Sequence, residues 1–268
     1  MMNGRVLIVA GSDSGGGAGI QADIKAVTAL GGFAMTAITA LTAQNTRGVY
    51  GIHDVPTDFV SQQMEVVLAD LGADCVKIGM LHRPDIIGAV VDALDKYAPG
   101  IPVVVDPVMI AKGGASLLEA PAITALKARL IPKAAILTPN IPEAEALAGR
   151  KQSSVADAEA LTKSLLALGP QAVLLKGGHR DGATVHDLLM STSGGVATFE
   201  NARIVTTHTH GTGCTLASAI ATGLAQKLDL AAAVSRGRNF VLEAIRTAPG
   251  YGNGHGPLNH GHTVSTFS

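Results

Sequence analysis

The sequence predicts an α/β protein: one three-layer α/β/α domain over residues 1–268, with a mostly parallel central sheet and an antiparallel edge hairpin. Three observations carry this expectation. Short β-branched runs alternate with helical periods along the chain. Hydrophobic residues make up 47% of the 268 and charged residues only 15%, against roughly 25% in an ordinary soluble domain, so much of the chain must be buried. No internal repeat or linker composition divides the chain.

Taken in order, Val6–Ala10 reads as a strand and Gly19–Leu30 as a helix closed by Gly31-Gly32. Ala34–Thr42 is a strand, and Thr57 is placed to cap a helix that runs to about Gly72. Cys75–Met80 is a strand and Pro84–Tyr97 a helix. Val103–Asp106 is a strand, followed by a helix from about Glu119 to Leu130. Ala135–Thr138 is a strand, Pro142–Leu147 a short helix and Ser154–Leu168 a longer one. Ala172–Lys176 is a strand, and Val185–Met190 with Val196–Val205 forms a hairpin around Ser193-Gly194-Gly195. Cys214–Lys227 and Leu230–Ala248 are the final helices. The tail from Pro249, rich in Gly, His and Asn, is either disordered or folded over a site.

Charge excludes some functions. The net charge is −1 and no Lys/Arg run occurs, so no footprint for nucleic acid or an anionic membrane is expected. The longest uncharged stretch, Ala26–Gln44, is broken by Gly31-Gly32 and fits a helix end and a strand better than a membrane span. The two cysteines, Cys75 and Cys214, stand far apart, and the apolar run Val6–Ala10 is too short for a signal-peptide core. A reduced, cytoplasmic setting is expected. The sparse charge also favours self-association.

In sheets of this kind ligands sit beyond the carboxyl ends of the strands. The polar residues following the expected strands are Gly11-Ser12-Asp13, Gln44-Asn45, His82, Asp106, Asn140 and Lys176-Gly177-Gly178. Gly211-Thr212-Gly213-Cys214 opens an apolar helix, whose unpaired N–H groups and positive dipole end suit an oxyanion or a transferring phosphoryl group. A cysteine there has its thiolate favoured and could take a proton from a hydroxyl. A Gly-rich turn with a small buried cysteine is the plainer alternative.

Between Gly11 and Gly19 lie five glycines in nine residues, without the spacing of a Walker loop or a dinucleotide fingerprint. Such a loop lets a flat ligand approach the backbone. Gln44 can donate and accept at once, which suits an aminopyrimidine edge, although from the residues alone a capping Gln on a loop is the plainer reading. Asp106 ends a buried strand and needs a cleft or a partner. Asn140 and Glu143 lie one helical turn apart, where Glu143 also reads as an ordinary helix N-terminal acid, and Lys176, followed by two glycines, can reach a phosphate or stand as a solvated lysine. Lys112-Gly113-Gly114 is a further loop able to close over the site. His208, His210, His255, His260 and His262 match no zinc spacing.

Together these motifs resemble the hydroxymethylpyrimidine/phosphomethylpyrimidine kinases of the ribokinase-like superfamily, from Ala10 to about His260. The stretch from Ala10 to Asp23 and Thr42-Ala43-Gln44-Asn45 match the family, and the tail Gly254–His260 is similar to its ending. Gly211–Cys214 is similar to the superfamily's anion-hole signature, with Cys214 in the base position and His208 where many members have Asp. The resemblance implies an ATP-dependent kinase of hydroxymethylpyrimidine and of its monophosphate, serving thiamine synthesis. It implies that Cys214, Gly211, Thr212 and Gly213 are catalytic, and that the pyrimidine meets Gly11, Asp23, Gln44, Met80 and Val108. ATP falls to Asn140, Lys176 and Thr209, and Mg²⁺ to Asp106 and Glu143, largely through water. A homodimer is also implied. A pyridoxine or pyridoxal kinase is the nearest alternative, although the Ser-rich, Val-Gly-Asn opening of many such enzymes is absent. A non-catalytic pyrimidine sensor is the alternative from another class.

Overall fold

The computed structural model describes residues 2–110, 114, 117–151, 157–179 and 182–264. One nine-stranded sheet runs through the molecule. Its strands are β1 (Arg5–Asp13), β2 (Phe33–Asn45), β3 (Gly48–Asp54), β4 (Cys75–Ile78), β5 (Val103–Val105), β6 (Ile136–Leu137), β7 (Ala172–Leu175), β8 (Thr184–Ser191) and β9 (Val196–Ala202). They lie in the order β3-β2-β1-β4-β5-β6-β7-β8-β9. Pairing is parallel from β2 through β7 and antiparallel at both ends, where β3 adds to β2 and the β8–β9 hairpin adds to β7.

The period of two along each central strand builds two cores. Leu7, Val9, Val76, Ile78, Val105 and Val173 point to one face, against α2 (Thr57–Asp70), α3 (Pro84–Tyr97), α4 (Ala120–Ala125), α5 (Ile141–Ala148) and α6 (Asp157–Leu166). Val6, Ile8, Val104, Ile136 and Leu174 point to the other, against α1 (Gly19–Ala29), α7 (Thr212–Ala225) and α8 (Leu230–Arg246). Each such fully buried aliphatic side chain stabilises the fold by about 1.5–3 kcal/mol. The expected three layers are therefore present, and among the described residues no helix is long and apolar enough to cross a membrane.

Several expectations are corrected. Gly48–Asp54 is a strand that the sequence pattern did not suggest, because its two glycines and half-exposed alternation belong to an edge. Thr57 does not cap α2: the capping position is Pro56, which makes no side-chain cap hydrogen bond. The helix expected to Leu130 is α-helical only to Ala125 and continues as a π turn over Leu126–Leu130. The second hairpin strand ends at Ala202, leaving Val205 exposed. Lys112-Gly113 and the expected helix start at Ser154 lie outside the described residues. The tail through Val264 is folded over the carboxyl end of the sheet and closes with a 3₁₀ turn at His260–Thr263.

Candidate active site

The carboxyl ends of β1, β2, β4, β5, β6 and β7 open onto one cavity of about 670 Å³. It is bounded on the opposite side by the first turn of α7. Of the polar residues that follow the strands, Asp13, Gln44, Asp106, Asn140 and Lys176 line it. His82 does not: its Nδ1 lies 3.0 Å from the Leu117 carbonyl oxygen, outside the cavity.

One half of the cavity is apolar. Met80 packs with Ala40 and Leu117, flanked by Val49, Ile52 and Val108. Gly11 is required for this, since a Cβ there would stand 2.5 Å from the Met80 methyl. Facing this wall, Gln44 Nε2 lies 3.2 Å from His210 Nε2, and His210 Nε2 lies 2.9 Å from Asp13 Oδ2. Asp13 also accepts from the N–H groups of Gly15, Gly17 and Ala18. Burial alone would raise the Asp13 carboxyl, but His210 and the Ala18 and Gly15 N–H groups outweigh it and hold the group below its usual range. The glycine-rich loop is thus wrapped around its own aspartate, and that aspartate orients a histidine at the cavity wall.

The other half is charged. Lys176 does not stand free: its Nζ is 3.0 Å from Asp106 Oδ1, which also takes the Thr138 hydroxyl at 3.3 Å. Asn140 and Glu143 form a capping box at the start of α5, each bonding the other's backbone N–H. Burial pushes the Glu143 carboxyl up to about 7, with Asp106 adding to the rise and Lys176 opposing it. Gly213 faces this cluster across the cavity. A Cβ on it would lie 3.3 Å from Lys176 Nζ and 3.4 Å from Asp106 Oδ2, so only glycine leaves the space clear.

Between the halves sits Cys214. The capping residue of α7, Gly211, has φ +80° and no side-chain cap. The N–H groups of Gly213 and Cys214 find no partner among the described residues and remain as donors at a positive helix end. The expected thiolate is corrected, however. Burial pushes the Cys214 thiol up to about 12, with Asp23 and Asp106 reinforcing it and Lys77 and the Gly19 N–H opposing it. Desolvation therefore wins over the dipole. Alkylation of Cys214 by iodoacetamide at pH 7.5 is expected to run on the order of 10³-fold below that of a free cysteine and to rise towards alkaline pH. An acid raised by folding stabilises the fold below its unfolded value, near ~8.5, and loses that contribution as pH climbs towards 12. Fast labelling of Cys214 at pH 7.5, read by peptide mass, would contradict this.

Asp23 is the other correction. It does not line the cavity: fully buried, it binds Lys77 Nζ at 2.8 Å and the Ser218 hydroxyl at 2.7 Å. Ser218 lies one turn beyond Cys214 on α7, so the ion pair sits beneath the thiol rather than beside a ligand. Burial opposes the Lys77 charge, but Asp23, together with Cys214 and Asp106, more than offsets it and holds the amine above its usual range. His208 also lies away from the centre, packed against the tail near Gly250 and Gly256. Thr209 does line the cavity, and its carbonyl accepts the Thr212 hydroxyl at 2.7 Å.

Sequence reasoning missed Lys77, His210 with Asp13, and the buried pair of Arg238 with Asp187 at 2.7 Å, which lines the far end of the cavity. A signal existed for Lys77, a lone cation inside the apolar run Cys75–Ile78. For Arg238 none did, because its partner lies 51 residues away.

This arrangement is matched by known proteins. The phosphomethylpyrimidine kinase family model covers residues 13–259. The hydroxymethylpyrimidine/phosphomethylpyrimidine kinase of Bacillus subtilis is 47% identical over 96% of the chain and 94% of its own length. The thiamine biosynthesis bifunctional protein ThiED of Geobacter sulfurreducens is 51% identical over 96% of the chain, which spans 52% of that longer protein. Among solved structures, the phosphomethylpyrimidine kinase of Clostridium difficile superposes with a TM-score of 0.80 at 43% identity, covering 90% of this chain and 99% of its own. The pyridoxal kinase of Staphylococcus aureus, solved with AMP-PCP and pyridoxal, gives a TM-score of 0.87 at 30% identity over 97% and 94%. The backbone superposes at least as well on the pyridoxal kinase, so shape does not separate the two; the side chains do, through their higher identity. On that identity, and on a model match reaching from the aspartate loop to the tail, the chain belongs to the phosphomethylpyrimidine kinase family and is a phosphotransferase of ribokinase-like fold.

Proposed function

We propose that the chain transfers the terminal phosphoryl group of ATP to the hydroxymethyl arm of 4-amino-5-hydroxymethyl-2-methylpyrimidine, and then to its monophosphate, with Mg²⁺ as the counter-ion. The observation that carries this is the placement of Cys214 and the free N–H groups of α7 between an apolar wall with an amide and a Lys–Asp–Glu cluster. The flat ring fits against Met80 and Val108, with Gln44 at its polar edge. Its alcohol then faces Cys214.

The donor set suits the proposed cation. Asp106 Oδ2 takes no hydrogen bond among the described residues, and the Glu143 carboxyl lies close enough to Asp106 to feel its charge. No cluster of three or more His, Cys, Asp or Glu able to hold a metal exists among the described residues. Two carboxylates suit Mg²⁺, which keeps its waters and leans on phosphate oxygens. When bound, the ion would neutralise charge on the transferring group.

The chain's own residues do the rest. Lys176, released from Asp106, can turn to a phosphate. The Gly213 and Cys214 N–H groups stabilise charge on the phosphoryl oxygens, the main task in a loose transition state. Because its thiol is protonated in the free chain, Cys214 acts first by orienting the alcohol. It takes the alcohol's proton only as a thiolate, a form that Lys77 beneath it favours.

Mass analysis of products from hydroxymethylpyrimidine with Mg-ATP, with and without EDTA, tests the reading: successive additions of phosphate are expected only with the metal. Cys214→Ala is expected to fold and to lose about 10²–10⁴-fold in kcat. Full turnover of that variant at saturating ATP would remove the role of the thiol. The pyridoxal reading rests on the solved pyridoxal kinases, and kcat/KM for the two alcohols measured side by side decides between them. Phe59 and Val66, exposed seven residues apart on one face of α2, favour the proposed homodimer, which sedimentation equilibrium measures.

A further inference from the structure

The tail motif Gly254–His260 remains without a role in the chemistry so far. The structure shows it as a strap laid across the start of α7. His255 N–H donates to the Thr46 carbonyl at 2.8 Å, and the Gly256 carbonyl accepts the His210 N–H at 3.1 Å. Both glycines are needed: a Cβ on Gly254 would overlap the Thr46 carbonyl, and one on Gly256 would overlap the His208 ring. At its other end the strap is fastened to α8. Asn259 N–H donates to the Ala244 carbonyl at 2.9 Å, and Asn259 Nδ2 to the Thr247 hydroxyl at 3.2 Å.

Between these anchors His260 is buried, with its Nε2 2.8 Å from the Thr215 hydroxyl oxygen. That hydroxyl also lies 2.8 Å from the Gly211 carbonyl, which accepts the Thr215 N–H at 2.9 Å as well. The hydroxyl has one hydrogen and lies against both Gly211 O and Nε2, while the ring also bonds the Leu258 backbone, so the ring tautomer sets which way the Nε2–hydroxyl hydrogen bond runs. Burial lowers the His260 pKa to about 4, so the ring is neutral and carries a single N–H. Gly211 O and the Thr212 N–H belong to one planar peptide, and fixing the oxygen fixes the first peptide plane of α7. The directions of the Gly213 and Cys214 N–H groups follow from it.

We infer that His260 is a positioning residue for phosphoryl transfer: its hydrogen bond with the Thr215 hydroxyl fixes that hydroxyl beside the Gly211 carbonyl and so aims the anion-hole N–H groups. The inference rests on the phosphoryl-transfer reading of the α7 N-terminus. An aiming role differs from a merely structural one in what it moves. Loss of aim lowers kcat while leaving the ring-binding wall, and hence KM, intact.

The test uses His260→Ala, His260→Gln, Thr215→Val and the double variant His260→Ala/Thr215→Val, assayed with hydroxymethylpyrimidine and Mg-ATP alongside urea unfolding. His260→Ala and Thr215→Val are each expected to lower kcat about tenfold or more, with KM changed less than about threefold. The double variant should be no slower than the slower single, since both break one relay. His260→Gln, whose amide can donate or accept at the same reach, should recover most of the rate. Losses confined to the folded fraction, with kcat per folded molecule unchanged, would sink the relay, and so would additive losses. Inactivity of the wild type towards this alcohol counts against the substrate reading alone. The relay is then read from the affinity for Mg-ADP with aluminium fluoride, a mimic of the transferring group. That affinity must fall in His260→Ala and Thr215→Val but not in His260→Gln, and equal affinity in all four proteins rejects it.

Discussion

Gly211→Ala is expected to lose about 10²-fold or more in kcat, as when an oxyanion donor is removed. Two causes act together. The residue sits at φ +80°, where an L side chain is strained by roughly 1–2 kcal/mol. A Cβ there would also overlap the Gly17 carbonyl oxygen, so either the glycine-rich loop or the start of α7 must move. Moving the loop disturbs the Asp13 cradle, and moving α7 turns its N–H groups away from the Lys176–Asp106 cluster. Added together, about 2–4 kcal/mol of stability should be lost. Steady-state kinetics and a urea titration measure both effects, and a variant within twofold of wild type in kcat would show that the α7 N–H groups do not carry the reaction.

Lys77→Met is expected to cost about 3–5 kcal/mol of stability, a large share of the roughly 5–15 kcal/mol that holds a domain together. The loss comes from what is left behind. Asp23 would stay fully buried between α1 and α7 with only the Ser218 hydroxyl as partner. Removing both charges should therefore hurt less than removing one. The paired variant Lys77→Met/Asp23→Asn is expected to unfold at a urea concentration between those of wild type and Lys77→Met. If the double variant is the less stable, the pair is worth more to the fold than the charge burial it requires.

Most of the architecture was legible because each central strand carries its own period and each helix its own punctuation. Val6–Ala10 and Val103–Asp106 could only be buried strands, and Asn140-x-x-Glu143 announced the start of a helix with a capping box that the structure contains. What was not legible depends on neighbours. Gly48–Asp54 becomes a strand because β2 offers it an edge, and nothing local says so. At the site, residues whose chemistry is local stood out. The glycines around Gly211 and Gly11 come together with Asp13, Gln44, Asp106, Asn140 and Lys176 as the pattern suggested, while His82 stays outside. Asp23 was assigned to the pyrimidine by the resemblance alone, and nothing local showed that it is paired inside. Its partner, Lys77, is 54 residues away, and the pair is buried. The thiol misled for a similar reason: the helix end is visible in the sequence, while the depth of the pocket that desolvates it is not.

The sheet order has one more consequence. Strands β1 and β4 adjoin although β2, β3 and α2 come between them in the chain, and α7 lies across β1, β4 and β5. The strand residues α7 covers are made some 100 residues or more before it, judged by the numbering of Val6, Ile8 and Val104 against Thr212. During synthesis that apolar side of the sheet has only α1 to shield it until the last quarter of the chain leaves the ribosome. A nascent protein halted before Gly211 would thus present a wide greasy surface and no reaction centre. Its fate would rest with chaperones rather than with its own packing.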